Sequence, residues 1–226
     1  MTQVMAHRGA SRAEPENTVA AYRRAGSMGA HAVELDVRRS LEGDLVVHHD
    51  PHLPDGRLIR GTPRAELPAS VPSLGEALGA CAGMWVNIEI KNDRKEPDFD
   101  SSESIADATI DVLRQRAEDE RWLISSFRME TIDRCRSLAP TIATAWLTIS
   151  VPRTVTDLLN AHGHVALHPW VGMVKPKLIE RCHAAGIRVN TWTCDDPDRM
   201  RELIAAGIDG ICTNVPDVAL RVLAES

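Results

Sequence analysis

Eight times along the 226-residue chain, a short run rich in β-branched residues gives way to a stretch with helical spacing of apolar side chains. This alternation constrains the fold more tightly than any other feature. The strand-like runs are 3–7, 32–37, 85–91, 122–126, 141–147, 165–168, 188–193 and 210–213. The helical stretches are 16–28, 73–81, 102–118, 129–138, 153–161, 175–185, 198–206 and 218–224. Pro15-Glu16, Asp196-Pro197 and Asn214-Val215-Pro216 are helix-start signals, and Gly29, Gly83, Gly163, Gly186 and Gly207 stand where helices stop. Strict alternation implies a parallel sheet, and eight units favour a closed (β/α)8 TIM barrel over an open doubly wound sheet. A single domain over residues 1–226 is expected.

One segment breaks the pattern. Leu45-Val46-Val47-His48-His49-Asp50 is an extra strand-like run between the second strand and its helix, followed by a Pro- and Gly-rich loop over 51–72. Such an excursion belongs on the C-terminal face of a barrel, where active sites of this architecture lie.

Charge narrows the partners. With 26 Lys and Arg against 32 Asp and Glu, the net charge is −6 and no basic cluster stands out, which argues against nucleic acid and anionic membranes. No run of eighteen apolar residues and no signal-peptide pattern is present, so a cytoplasmic protein without stable membrane anchoring is expected. The five cysteines include no C-x-x-C pair and read as small buried hydrophobes in a reducing compartment. Oligomeric state is left open.

Period 2 within the strands points to the chemistry. In Val33-Glu34-Leu35-Asp36-Val37 the apolar residues share the helix-facing side, so Glu34 and Asp36 project together into the barrel. In Val86-Asn87-Ile88-Glu89-Ile90-Lys91 the same pattern turns Asn87, Glu89 and Lys91 inward. Three acids in a confined space raise one another's pKa unless a cation neutralises them, and oxygen-only ligands suit Mg²⁺ or Ca²⁺, with Mn²⁺ also compatible. His7 ends the first strand beside these acids and His49 closes the extra run, an arrangement suited to acid-base cleavage of a phosphodiester. Arg8 offers a bidentate fork for phosphate oxygens. His168 also points at the rim, whereas His31, His48, His52, His162, His164 and His183 read as ordinary surface or capping residues.

His7-Arg8-Gly9, Pro15-Glu16-Asn17-Thr18, Glu34-Leu35-Asp36-Val37, Leu45 to Asp50 and Glu89-Ile90-Lys91 resemble, in that order, the successive signatures of the glycerophosphodiester phosphodiesterases. Ile124 to Phe127, Gly186 to Thr193 and Gly207 to Pro216 are similar to the later strands of that family, so the resemblance covers nearly the whole chain. It implies a (β/α)8 barrel that hydrolyses a glycerophosphodiester to glycerol 3-phosphate and an alcohol. By the same resemblance, Glu34, Asp36 and Glu89 hold a divalent metal, and His7 and His49 are the acid-base pair. Arg8 and Lys91 hold the phosphate, and Trp192 lines the glycerol end. Two positions depart from the family pattern. Asn214 stands where many members have Asp and is expected to cap the last helix, and the short excursion over 51–72 implies an open site. A lysophospholipase D or a phosphodiester lyase would share every one of these residues. A non-catalytic phosphoglycerol-binding barrel would not need the two histidines.

Overall fold

Strands buried on both faces need continuous apolar runs, and in the computed structural model, which covers residues 1–226, those runs pair side by side in a closed ring. The chain order is β1 (Gln3–Ala6), α1 (Val19–Met28), β2 (Ala32–Arg39), β3 (Leu45–Val47), α2 (Leu74–Ala80), β4 (Trp85–Ile90), α3 (Ser104–Arg114) and β5 (Trp122–Ser126). It continues with α4 (Met129–Leu138), β6 (Ala143–Thr148), α5 (Val155–His162), β7 (Ala166–Pro169), α6 (Pro176–Ala184), β8 (Arg188–Thr191), α7 (Pro197–Ala205), β9 (Gly210–Thr213) and α8 (Pro216–Ala224). Every strand except β3 is parallel to its neighbours, and β1 closes the barrel by pairing with both β2 and β9. Eight strands form the ring, as the alternation implies. β3 stands outside it, antiparallel to the C-terminal half of β2, with Val37 opposite Val47 and Arg39 opposite Leu45.

Apolar side chains between strands and helices form two clusters. One of 27 residues lies mainly around β2, β4 and α1 to α4, and one of 17 lies mainly around β7 to β9 and α5 to α8. The excursion has its own small core of Val46, Leu53, Ile59, Leu67 and Val71. All five cysteines are free and buried.

Several element boundaries differ from the sequence expectation, and three have a clear physical cause. α1 begins at Val19, because Thr18 caps it by accepting the Ala21 N–H while Asn17 adopts a left-handed φ of 57°. Residues 16–18 thus form a turn at the barrel mouth. α3 stops at Arg114, and Ala117 turns left-handed (φ 51°) before β5. α8 begins at Pro216, whose missing N–H suits a first turn, and its N-cap Val215 makes no side-chain bond. Asn214 therefore does not cap that helix, and its amide is used inside the site instead.

Candidate active site

Two registers bring the carboxylates together. β2 pairs with β4 so that Asp36 lies opposite Glu89 and Glu34 opposite Asn87. The exposures of Glu34, Asp36 and Glu89 are only 3%, 1% and 8%, and one oxygen from each lies within 4.8 Å of the others. Burial of unpaired carboxylate oxygen is costly, yet Glu34 Oε1 is buried with no hydrogen-bond partner, as is the nearby Asn87 Oδ1, and Asp36 Oδ1 has only an ion pair with Lys91 at 3.3 Å. A second cluster, Asp133 with His162 and His164, could also hold a metal by spacing. There Asp133 is hydrogen-bonded to both rings, at 2.8 and 3.1 Å, and no buried oxygen is orphaned. Of the two clusters, the one at the barrel mouth is therefore the better candidate for a cation, and its all-oxygen donor set suits a hard divalent ion.

Cations already crowd these acids. Lys91 Nζ donates to Glu89 Oε1 at 2.7 Å and lies 3.3 Å from Asp36 Oδ1. Arg8 Nε lies 3.3 Å from Asp36 Oδ2, while Nη1 donates to Glu16. Burial opposes ionisation of Asp36, but Lys91 and Arg8 outweigh it and hold this carboxyl well below the usual range. Glu34 has less help. Burial, with Asp36 and Glu89 beside it, pushes its carboxyl well above the ordinary value, and burial also raises Glu89 against the pull of Lys91.

The His7-Arg8-Gly9 segment leaves β1 in a tight turn. Arg8 has a φ of 56°, and its backbone N–H donates to Glu34 Oε2 at 2.9 Å. Gly9, with φ 82°, lies so close to α1 that a Cβ there would meet the Ala21 Cβ at 2.6 Å. Asn17 Nδ2 donates to Asp36 Oδ2 at 2.8 Å, and the Tyr22 hydroxyl donates to Asn17 Oδ1 at 3.0 Å.

Both histidines are pinned through Nδ1, by chemically different partners. His7 Nδ1 is 2.8 Å from Asn214 Oδ1. The Asn214 amide nitrogen donates to Asp195 Oδ2 at 2.7 Å, which requires Oδ1 to face His7. His7 therefore carries its proton on Nδ1, and its Nε2 lone pair is free. His49 Nδ1 is 2.7 Å from the Asp50 carboxylate, which favours the imidazolium form locally. Burial lowers the pKa of both rings; Arg8 lowers His7 further and Lys91 lowers His49 further.

The two rings face different spaces. His7 lines a small enclosed cavity with Glu34, Leu147, His168 and Trp192, about 20 Å³ in volume. His49 lines a larger cleft of about 220 Å³ with Lys91, Asp93, Glu96 and Phe127, and it is the only excursion residue in either space. Trp192 donates its indole N–H to the His168 carbonyl and meets Phe127 edge-on at 5.4 Å. His168 Nε2 accepts from Asn190, and burial pushes its pKa down to about 3, so it is a neutral wall residue.

All eight candidate residues converge on this mouth. Three further residues join them. Asn17, within the Pro15 to Thr18 motif, does so through Asp36. Asn214, whose place before Pro216 has the pattern of a helix cap, does so through His7. Arg38 shares the inward face of β2 with Glu34 and Asp36, and extending the period-2 count by one step would have found it.

The chain is similar to proteins of one family. The model of the glycerophosphoryl diester phosphodiesterase family matches residues 7–218. A glycerophosphodiester phosphodiesterase of Caldanaerobacter subterraneus is 30% identical over 245 residues, covering 98% of this chain and 98% of that one. A probable glycerophosphodiester phosphodiesterase of Mycobacterium tuberculosis is 30% identical over 246 residues, covering 97% of this chain and 89% of its own. An Oleispira antarctica phosphodiesterase solved in complex with the product sn-glycerol-3-phosphate superposes with a TM-score of 0.91 at 29% identity, covering 99% of this chain and 97% of that one.

Proposed function

The chain belongs to the glycerophosphoryl diester phosphodiesterase family, and on that premise we propose that it hydrolyses glycerophosphodiesters to glycerol 3-phosphate and an alcohol by histidine acid-base catalysis with a divalent metal. The observation that carries the reading is the buried trio of Glu34, Asp36 and Glu89, with the Glu34 Oε1 oxygen left without a partner, flanked by two histidines each held through Nδ1.

Those three acids would hold the ion. Bound there, Mg²⁺ or Ca²⁺, with Mn²⁺ a further fit, would offset the charge of the phosphoryl group and lower the pKa of the nucleophile. The protein's own groups do the rest. His7, with a neutral amide on Nδ1, presents Nε2 as the base that takes the nucleophile's proton. His49 is assigned the acid because the Asp50 carboxylate on Nδ1 works against the lowering by burial and Lys91; in its doubly protonated form it passes the Nε2 proton to the departing alcohol as the P–O bond breaks. Arg8 Nε is buried without a hydrogen-bond partner and, with Lys91, offers donors to the phosphate oxygens. Trp192 walls the glycerol end beside His7, and the wider cleft at His49 receives the alcohol.

Release of glycerol 3-phosphate from glycerophosphocholine, measured with added Mg²⁺, Ca²⁺ or Mn²⁺ and again after chelation, tests the reading. His7→Ala and His49→Ala should each lose on the order of 10²-fold or more in turnover. Tight binding of a glycerophosphodiester without turnover would favour the phosphoglycerol-binding alternative. A cyclic phosphate product would make the protein a lyase, and cleavage of long-chain lysophospholipids in preference would make it a lysophospholipase D.

A further inference from the structure

Arg38 is the only arginine among the fully buried residues, and it lies one step along the inward face of β2 from Asp36. Its guanidinium joins two other segments. Nε and Nη2 donate to the backbone carbonyl of His49 at 2.8 and 2.5 Å. Nη1 donates to Glu96 Oε2 at 2.9 Å and Asp98 Oδ2 at 2.7 Å, and Nη2 also reaches Glu96 Oε1 at 3.1 Å. Glu96 and Asp98 sit on the loop between β4 and α3, and Glu96 lines the cleft that His49 faces.

His49 depends on this tie. It lies beyond β3, and the last backbone bond from this run to the β2 strand is the His48 N–H to the Asp36 carbonyl at 3.0 Å. The partner of its ring, Asp50, is the next residue and largely exposed, so it travels with the loop. Arg38 instead grips the His49 carbonyl from inside the barrel and so sets the orientation of the peptide from which the ring projects. A buried ion pair of this kind adds little stability over an apolar replacement of similar volume, so geometry is the more economical reason for it.

We propose that Arg38 is a positioning residue for the leaving-group acid: it orients His49 toward the departing alcohol and, through Glu96 and Asp98, draws the β4–α3 loop along the same side of the cleft. This rests on the assignment of His49 as the acid. In that step the P–O bond to the alcohol breaks, its electron pair goes to the alcohol oxygen, and that oxygen takes the Nε2 proton.

The test compares two substrates in the metal-loaded enzyme. Glycerophosphocholine releases a basic alkoxide that needs the proton, whereas the p-nitrophenyl ester of glycerol 3-phosphate releases a phenolate that does not. Arg38→Gln should lower kcat on glycerophosphocholine on the order of 10- to 10²-fold with KM within about twofold, and leave the nitrophenyl ester within about twofold of the parent. Equal loss on both substrates, or no loss on either, would overturn the proposal. His49→Ala checks the premise separately. If it loses equally on both substrates, the acid assignment fails whatever Arg38 does. Should Arg38→Gln not fold, Asp98→Asn keeps the guanidinium but loosens its anchor. A smaller loss confined to glycerophosphocholine then supports the proposal, and equal or absent loss refutes it.

Discussion

Replacing Asn214 by Leu keeps the branched outline of the side chain near His7 but removes the acceptor on which the ring's tautomer depends. Three bonds go: the His7 Nδ1–H and the Ser11 hydroxyl both donate to Oδ1, at 2.8 and 2.9 Å, and Nδ2 donates to Asp195 Oδ2 at 2.7 Å. Asp195 keeps the Thr213 hydroxyl and the backbone N–H of residue 214, so the loop remains anchored. One neutral hydrogen bond contributes about 1 kcal/mol net, which is roughly fivefold in rate if it is lost entirely from the productive tautomer and orientation. The ceiling is the full contribution of a general base, about 10²- to 10⁴-fold. We therefore expect kcat on glycerophosphocholine to fall by about 5- to 10²-fold. KM should be nearly unchanged, because Asn214 lines neither cavity. Thermal unfolding should move by only a few degrees. Steady-state kinetics at saturating metal, with a melting curve on the same sample, decide the matter. A kcat within twofold of the parent, or a loss carried wholly by KM, would refute the claim that this amide holds His7 ready as the base.

Metal affinity should weaken as pH falls, because burial and acidic neighbours push the Glu34 carboxyl well above its ordinary range and only the ionised carboxylate is a ligand. Calorimetric titration with Mg²⁺ or Ca²⁺ at several pH values checks this, together with proton release on binding. Saturating metal at about 100 times its Kd should add about 2.7 kcal/mol of stability to the parent and none to a Glu34→Gln, Glu89→Gln double variant, read as a shift in Tm. His168 makes stability itself pH-dependent. Its folded pKa of about 3 lies below the unfolded value, so the unfolded chain binds the extra proton, and stability present above about pH 6.5 is lost as pH falls, at up to about 1.4 kcal/mol per unit. His168→Asn should flatten that slope in urea unfolding between pH 4.5 and 6.5. Gly9→Ala should cost about 2 to 4 kcal/mol, since a side chain at φ 82° would meet Ala21 at 2.6 Å, and urea unfolding midpoints measure it.

The inward carboxylates were readable from the sequence because strand periodicity is local. Once 32–37 and 85–91 are taken as parallel strands covered by helices, Glu34, Asp36 and Glu89 have one face left to occupy. The Pro15 to Thr18 motif was visible, but its role was not. A helix expected from residue 16 would have carried Asn17 on its surface, whereas the Thr18 cap and a left-handed Asn17 turn that amide onto Asp36. For Asn214 the local pattern misled: a polar residue shortly before a proline has the pattern of a helix cap, and only barrel closure brings it to His7, 207 residues away.

The sequence by itself determined the barrel, the face its acids occupy, and the placing of two histidines at its C-terminal rim, because alternation and period 2 are properties of neighbouring residues. Tertiary structure alone decided which groups hold which. Asn214 takes His7, Asn17 takes Asp36, Arg38 takes the His49 carbonyl, and Lys91 and Arg8 share the acids so unequally that the Asp36 carboxyl is held well below its ordinary range while that of Glu34 is pushed well above it. Hydrogen bonds and buried charges act over a few ångströms with no period along the chain, so their partners are set only when strands far apart in sequence close into one ring.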